Sequence, residues 1–169
     1  MAISGMITGC AVVGDESLVR QLAGDVTEIF STMVGLTGMQ HVCVPIEQVV
    51  HLENSISSLV GLAGVYNGVV TLHMPSTFAV QVTGRMLGID VNENDGDVND
   101  AIGEIANMIA GSFKQLLTRR GHGTYLSTPS VVFGKKYEIN LGNSLERCAV
   151  RFTCDDEWFL VAIALKSAA

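Results

Sequence analysis

The sequence predicts an α/β (α+β) fold with two long helices packed on a largely antiparallel sheet. Three observations predict it. A long helix, a strand and an apolar hairpin follow one another in the same order twice, with a period of roughly 80–90 residues. Two apolar runs, Ser57 to Val65 and Val69 to Met74, flank Asn67-Gly68, a pattern that reads as a tight hairpin. Hydrophobic residues fill 48% of the 169 positions and charged residues 16%, which supports one core and excludes general disorder. The chain is therefore read as one domain of pseudo-duplicated halves, about residues 15–90 and 97–166.

The first helix is expected over 15–34, where Leu18, Leu22, Val26, Ile29, Phe30 and Met33 recur at helical spacing. Asp15 or Ser17 is its candidate cap. Gln40 to Ile46 reads as a strand that Pro45 confines to an edge or an end. After the first hairpin, Pro75-Ser76 opens a short helix that reaches about Leu87 and stops at Gly88. The polar, turn-rich run Asp90 to Asp97 is the internal boundary. A second long helix spans about Val98 to Thr118 and ends at Gly121. Ser130 to Phe133 reads as a strand. A last hairpin joins Arg147–Cys154 to Trp158–Leu165, with Cys148, Val150, Phe152 and Cys154 on one face.

Charge narrows the function classes. Ten Lys and Arg against 17 Asp and Glu leave a formal net of −7, which repels phosphate backbones and anionic lipid. No basic run offsets it. Asn54 to Gly84 carries no charged residue and is long enough for a bilayer, but Asn67-Gly68 and Pro75 interrupt it. Met1 to Val13 is apolar without Lys or Arg, a poor signal peptide. Cys10, Cys43, Cys148 and Cys154 form no C-x-x-C, so reduced thiols in a cytoplasmic protein are expected.

Metal and nucleotide motifs fail on specific requirements. Asp90, Asn92 and Asn94 imitate the early ligands of an EF-hand loop. Asp95 stands where that loop needs Gly, and Ala101 where it needs a bidentate Glu. His41, His51, His73 and His122 have no ligand spacing. No P-loop, G-x-G-x-x-G or G-x-S-x-G occurs. Gly61 and Gly64 read as strand glycines packed against another backbone.

The second long helix carries the chemistry. Ile102, Ile105, Ile109, Phe113 and Leu116 form its apolar face. Opposite lies a stripe of Asp100, Glu104, Asn107, Gly111, Lys114 and Thr118. Glu104 and Asn107 are neighbours at helical spacing. Any amphipathic helix has a solvated face. Asn107 and Gly111 are nonetheless poor helix formers in mid-helix, and Gly111 leaves the surface bare for a partner backbone.

The run Asp100-Ala101-Ile102-Gly103-Glu104-Ile105-Ala106-Asn107-Met108-Ile109-Ala110-Gly111 resembles the signature helix of the CheC/CheX/FliY chemotaxis phosphatases. That pattern is an Asp or Ser, a Glu four on, an Asn three on and a distant Pro. Asp100, Glu104 and Asn107 fill it, and Pro129 is the Pro, at a slightly shorter spacing than the family's. The length and the single clear motif resemble the CheX branch most. On the first helix Glu28 matches Glu104, but Ser31 stands where an Asn would be, so that half is read as lacking a site.

The resemblance implies a CheC-like fold and hydrolysis of the aspartyl phosphate on a CheY-type response regulator. It implies Asn107 orienting the attacking water and Glu104 docking the regulator's Lys. Asp100, Gly111 and Pro129 are the further partner-binding candidates. No cofactor of the chain's own is implied; Mg²⁺ comes with the regulator. A homodimer joined through its sheets is also implied. The alternative is a non-catalytic regulator-binding or flagellar-switch-like interaction module.

Overall fold

A computed structural model describes residues 16–143 and 146–168. The apolar Met1 to Val13, Cys10 and the candidate cap Asp15 lie outside the described residues. The elements run α1 (Glu16–Val34), β1 (Gln40–Val44), β2 (Val49–Gly64), β3 (Tyr66–Pro75), α2 (Ser76–Leu87), α3 (Gly96–Arg119), β4 (Thr124–Leu126), β5 (Ser130–Asn140), β6 (Glu146–Cys154) and β7 (Glu157–Ser167).

Strands lie in the order β1-β6-β7-β3-β2-β4, with β5 pairing β2 alongside β4. All these pairings are antiparallel. The order has a symmetry. β3 and β7 pair at the centre, β1 pairs β6 and β4/β5 pair β2. Each half thus lends its first strand to the second strand of the other. The three helices cover one face, because their apolar stripes must be buried against the sheet. Leu18, Leu22, Val26 and Phe30 of α1 join Ile102, Ile105, Ile109 and Phe113 of α3 in one core with Val150, Phe152, Phe159 and Val161. Phe30, Phe159 and Phe152 stack in series at centroid distances of 4.1 and 4.7 Å.

The expected helices form: two long ones, α1 and α3, and the short α2 between them. Ser17 lies inside α1 instead of before it, and Met33 stays exposed. α2 ends as read: Gly88 takes a left-handed φ of 69° and donates its N–H to the Gly84 carbonyl at 2.8 Å. β1 stops before Pro45 and is an edge strand.

The first hairpin corrects the sequence reading. Its turn is at Val65, not at Asn67-Gly68; Gly68 pairs with Leu62 inside the ladder. Glycine is required there for another reason. A Cβ on Gly68 would collide with the Ala164 carbonyl of β7. Asn67 serves the turn through its side chain, which accepts from the Gly64 N–H at 3.2 Å. Of the two strand glycines, Gly64 does face backbone, at Gly123, whereas Gly61 faces the Ser127 side chain.

Strands β2 and β5 are also longer than their apolar cores. Leu52 and Ile56 are both even-numbered and would share a face in a regular strand. Yet Ile56 joins the helix-side core, while Leu52 packs with Ile139, Leu141 and Ala164. Ala164 lies on the other face of β7 from Ile163 and Leu165, which face the helices. The switch falls at Asn54, whose φ is 46°. Residues 49–53 and 136–140 therefore fold back over the far face as a two-stranded arm. Beneath it runs a hydrogen-bonded chain. Tyr137 Oη meets Ser57 Oγ at 2.8 Å, Ser57 Oγ meets His73 Nδ1 at 2.7 Å, and His73 Nε2 meets Thr71 Oγ1 at 2.8 Å.

Candidate functional site

Helix α3 starts at a local cap: Asp95 accepts from the Asp97 N–H at 3.2 Å. Asp95 is thereby part of the helix start. Among the described residues no three His, Cys, Asp or Glu side chains converge as a metal-ligand set.

The helical period decides which side chains α3 hides. Ile102, Ile105, Ile109, Phe113 and Leu116 are all buried in the core. Asp100, Glu104 and Asn107 are exposed on the opposite side. Gly111, one turn beyond Asn107, is half-buried, and a Cβ there would meet nothing within 4 Å. The predicted stripe is therefore one continuous surface of carboxylate, amide and bare backbone. Thr118 turns back to its own helix, donating to the Lys114 carbonyl at 2.9 Å.

Two contacts hold this helix in place. Gly103, beside Glu104, faces the sheet edge. A Cβ placed on it would sit 3.5 Å from Val131 Cγ2 and 3.6 Å from Pro129 Cγ. The missing side chain lets α3 lie close against the segment between β4 and β5. Pro129 is thus a neighbour of the signature helix in space as well as in the motif.

Pro129 sits there because the edge strand is interrupted. Leu62 pairs Leu126 and Leu59 pairs Ser130, so Val60 and Gly61 oppose Ser127, Thr128 and Pro129. This is a bulge of one extra residue, a place that tolerates a proline without an N–H. Ser127 repairs the ladder. Its N–H donates to the Gly61 carbonyl at 3.0 Å, and its Oγ accepts from the Gly61 N–H at 2.8 Å.

On the other flank, Ser112 Oγ donates to Asp25 Oδ2 of α1 at 2.7 Å. Asp25, Glu28, Ile29 and Thr32 of α1 with Met108 and Ser112 of α3 line a shallow cleft of about 240 Å³. Glu28 and Ser31 of α1 are exposed. The Asp25–Ser112 bond spans 87 residues and has no sequence signal. The anchoring role of Val131 was also not legible, since nothing in a strand run names its helix neighbour.

The Ser57–His73 pair has the atoms of a nucleophile and a base, but both side chains are wholly buried. Desolvation lowers the His73 pKa to about 4, so the ring is neutral at pH 7. The chain of bonds satisfies buried polar atoms under the arm.

Comparison with known proteins shows the family and the fold. A family model described as chemotaxis phosphatase CheX matches residues 56–153, and the chain belongs to that family. The CheY-P phosphatase CheX of Thermotoga maritima is 29% identical over 129 residues, covering 74% of this chain and 81% of that protein. The crystal structure of chemotaxis protein CheX from Desulfovibrio desulfuricans superposes with a TM-score of 0.76 at 27% identity, covering 89% of this chain and 99% of that one. A CheX–CheY–BeF3–Mg2+ complex from Borrelia burgdorferi has the same fold, with a TM-score of 0.72 at 19% identity over 89% of this chain and 98% of that one. The matched family segment contains Asp100, Glu104, Asn107, Gly111 and Pro129.

Proposed function

We propose that the chain hydrolyses the aspartyl phosphate of a CheY-type response regulator. One observation carries the reading: Glu104 and Asn107 stand exposed side by side on a helix anchored at Gly103 and Ser112, in a chain of the CheX family. The relative named as a CheY-P phosphatase and the relative crystallised with CheY, BeF3 and Mg2+ support it.

The reaction forms a bond from water oxygen to phosphorus as the aspartyl oxygen–phosphorus bond breaks. Inorganic phosphate and a free Asp carboxylate result. This needs alignment and charge stabilisation more than covalent work by the protein. Asn107 suits the water because an amide both donates and accepts without adding negative charge beside the phosphoryl oxygens. Glu104 is the docking carboxylate for a regulator Lys. Asp100 adds a second carboxylate one turn earlier, and Gly111 lets partner backbone approach. Pro129 supports the helix from the sheet side. Mg²⁺ is supplied by the phosphorylated partner.

The test is phosphate release from a panel of phosphorylated regulators. Wild-type protein accelerates release from at least one, and Asn107→Ala abolishes the acceleration. Full binding with no acceleration by wild type would assign the chain to the non-catalytic alternative.

We also assign the chain to the cytoplasm, and read it as a single domain of two pseudo-repeats. A homodimer is the proposed assembly. The edge strands β1 and β5 support it, with Val42 and Val132 exposed along them. Light scattering on the purified protein decides between one copy and two.

A further inference from the structure

Phe133 is the odd member of the six phenylalanines. Phe30, Phe78, Phe113, Phe152 and Phe159 are at most 3% exposed, whereas Phe133 is 60% exposed. It pairs with Ile56, a helix-side core residue, so it points to the same side of the sheet as α3. Val131, two residues earlier, shares that side and meets Gly103 together with Pro129. Pro129, Val131 and Phe133 therefore form an apolar row along the sheet edge, beside the helix that carries Glu104 and Asn107. At its far end Phe133 borders a cleft of about 370 Å³ that also touches Glu93, Asn94, Asn99 and Lys135. Its two charged residues, Glu93 and Lys135, are of opposite sign.

We infer that this row is the second half of the docking surface, and that its occupant is the phosphorylated receiver domain itself, gripped by Phe133. The inference rests on the phosphatase reading above. Two features select this occupant. The row meets α3 at Gly103, next to Glu104 and one turn before Asn107. An exposed aromatic on a rigid strand loses little entropy on binding, which is why aromatics dominate interface energetics. Phe133 lies apart from the reacting atoms. It binds ground state and transition state alike and enters KM rather than kcat.

The test measures kcat and KM for phosphate release with the receiver that wild-type protein dephosphorylates fastest. Phe133→Ala raises KM about tenfold, the size of a lost aromatic anchor, and leaves kcat within about twofold. Tyr125→Ala is the control: Tyr125 is 78% exposed on β4 and points to the far face, opposite to its neighbour Leu126. It leaves both constants unchanged. An unchanged KM for Phe133→Ala with an active wild type overturns the inference and spares the phosphatase reading. A dimer split by Phe133→Ala at unchanged KM also overturns it, assigning the row to a second copy. If wild type releases no phosphate, the phosphatase reading fails. Binding of the beryllofluoride-activated receiver then decides: weakened by Phe133→Ala it supports the docking surface, and unweakened it overturns it.

Discussion

Gly103 and Pro129 meet face to face across the seam between helix and sheet: a Cβ on Gly103 would lie 3.6 Å from Pro129 Cγ. The two residues are distant in the chain, and the bulge at 127–129 brings them together. Their contact sets how far the Glu104–Asn107 face stands from the edge of the sheet.

That distance decides the sign of a substitution. Ordinary van der Waals contact leaves room for one methyl group, and alanine is the better helix former by about 1 kcal/mol. Gly103→Ala is expected to hold stability or raise it by up to about 1 kcal/mol. Gly103→Leu overfills the seam and lowers stability by about 1–3 kcal/mol. Urea denaturation of the two variants checks both signs. Phosphate release should fall in the leucine variant even where it remains folded, because α3 is displaced.

The proposed division of labour between Glu104 and Asn107 predicts different kinetic signatures. Asn107→Asp places a negative charge beside the phosphoryl oxygens and is expected to be nearly inactive at saturating regulator. Glu104→Gln keeps the shape but removes the charge, so KM rises by about tenfold for a charge-assisted contact. The salt dependence of KM should also flatten in that variant, since its docking charge is gone. Steady-state kinetics at two ionic strengths separates these outcomes.

Gly68 faces backbone instead of a side chain, and backbone cannot step aside cheaply. Gly68→Ala sets its methyl against the Ala164 carbonyl at the central β3–β7 pair. The expected loss is about 3 kcal/mol or more, read from the urea midpoint. An unchanged midpoint would mean that the two central strands can separate without penalty.

His73 gives the fold an acid limb. Its folded pKa of about 4 lies below the ordinary 6.5, because burial disfavours the charged ring. Above pH 6.5 the ring is neutral in both states and contributes no pH dependence. As pH falls from 6.5 towards 4, the unfolded chain binds a proton that the folded one refuses. Stability drops over that window by about 3 kcal/mol. His73→Gln removes the titrating group, so the wild-type minus variant difference in unfolding free energy should slope there and be flat above pH 7. Carboxylates shared by both proteins cancel in that difference.

The helix stripe was legible because its signal is local. Glu104 and Asn107 follow from a 3.6-residue period that any segment of α3 displays on its own, and the same period places Ile102, Ile105 and Ile109 in the core. Gly88 and the turn of the last hairpin were legible for the same reason, although that turn is only Asp155-Asp156, since Glu157 already pairs with Cys154. The first hairpin turn was misplaced because Asn-Gly is ambiguous. Glycine marks a tight turn in one setting and a close backbone approach in another, and only the position of β7 separates the two at Gly68.

The amphipathic elements, their order, and the exposed carboxylate–amide pair with its family motif can be read from the sequence. These depend on residues within a few turns of one another. Only the folded chain bends β2 at Asn54, so that Leu52 and Ile56 serve opposite cores. It alone joined Asp25 to Ser112 and set Pro129, Val131 and Phe133 beside α3. Each is a pairing between distant segments. It depends on strand order, register and a one-residue bulge, and these are settled by how the whole sheet buries its apolar faces, a quantity no short window of sequence contains.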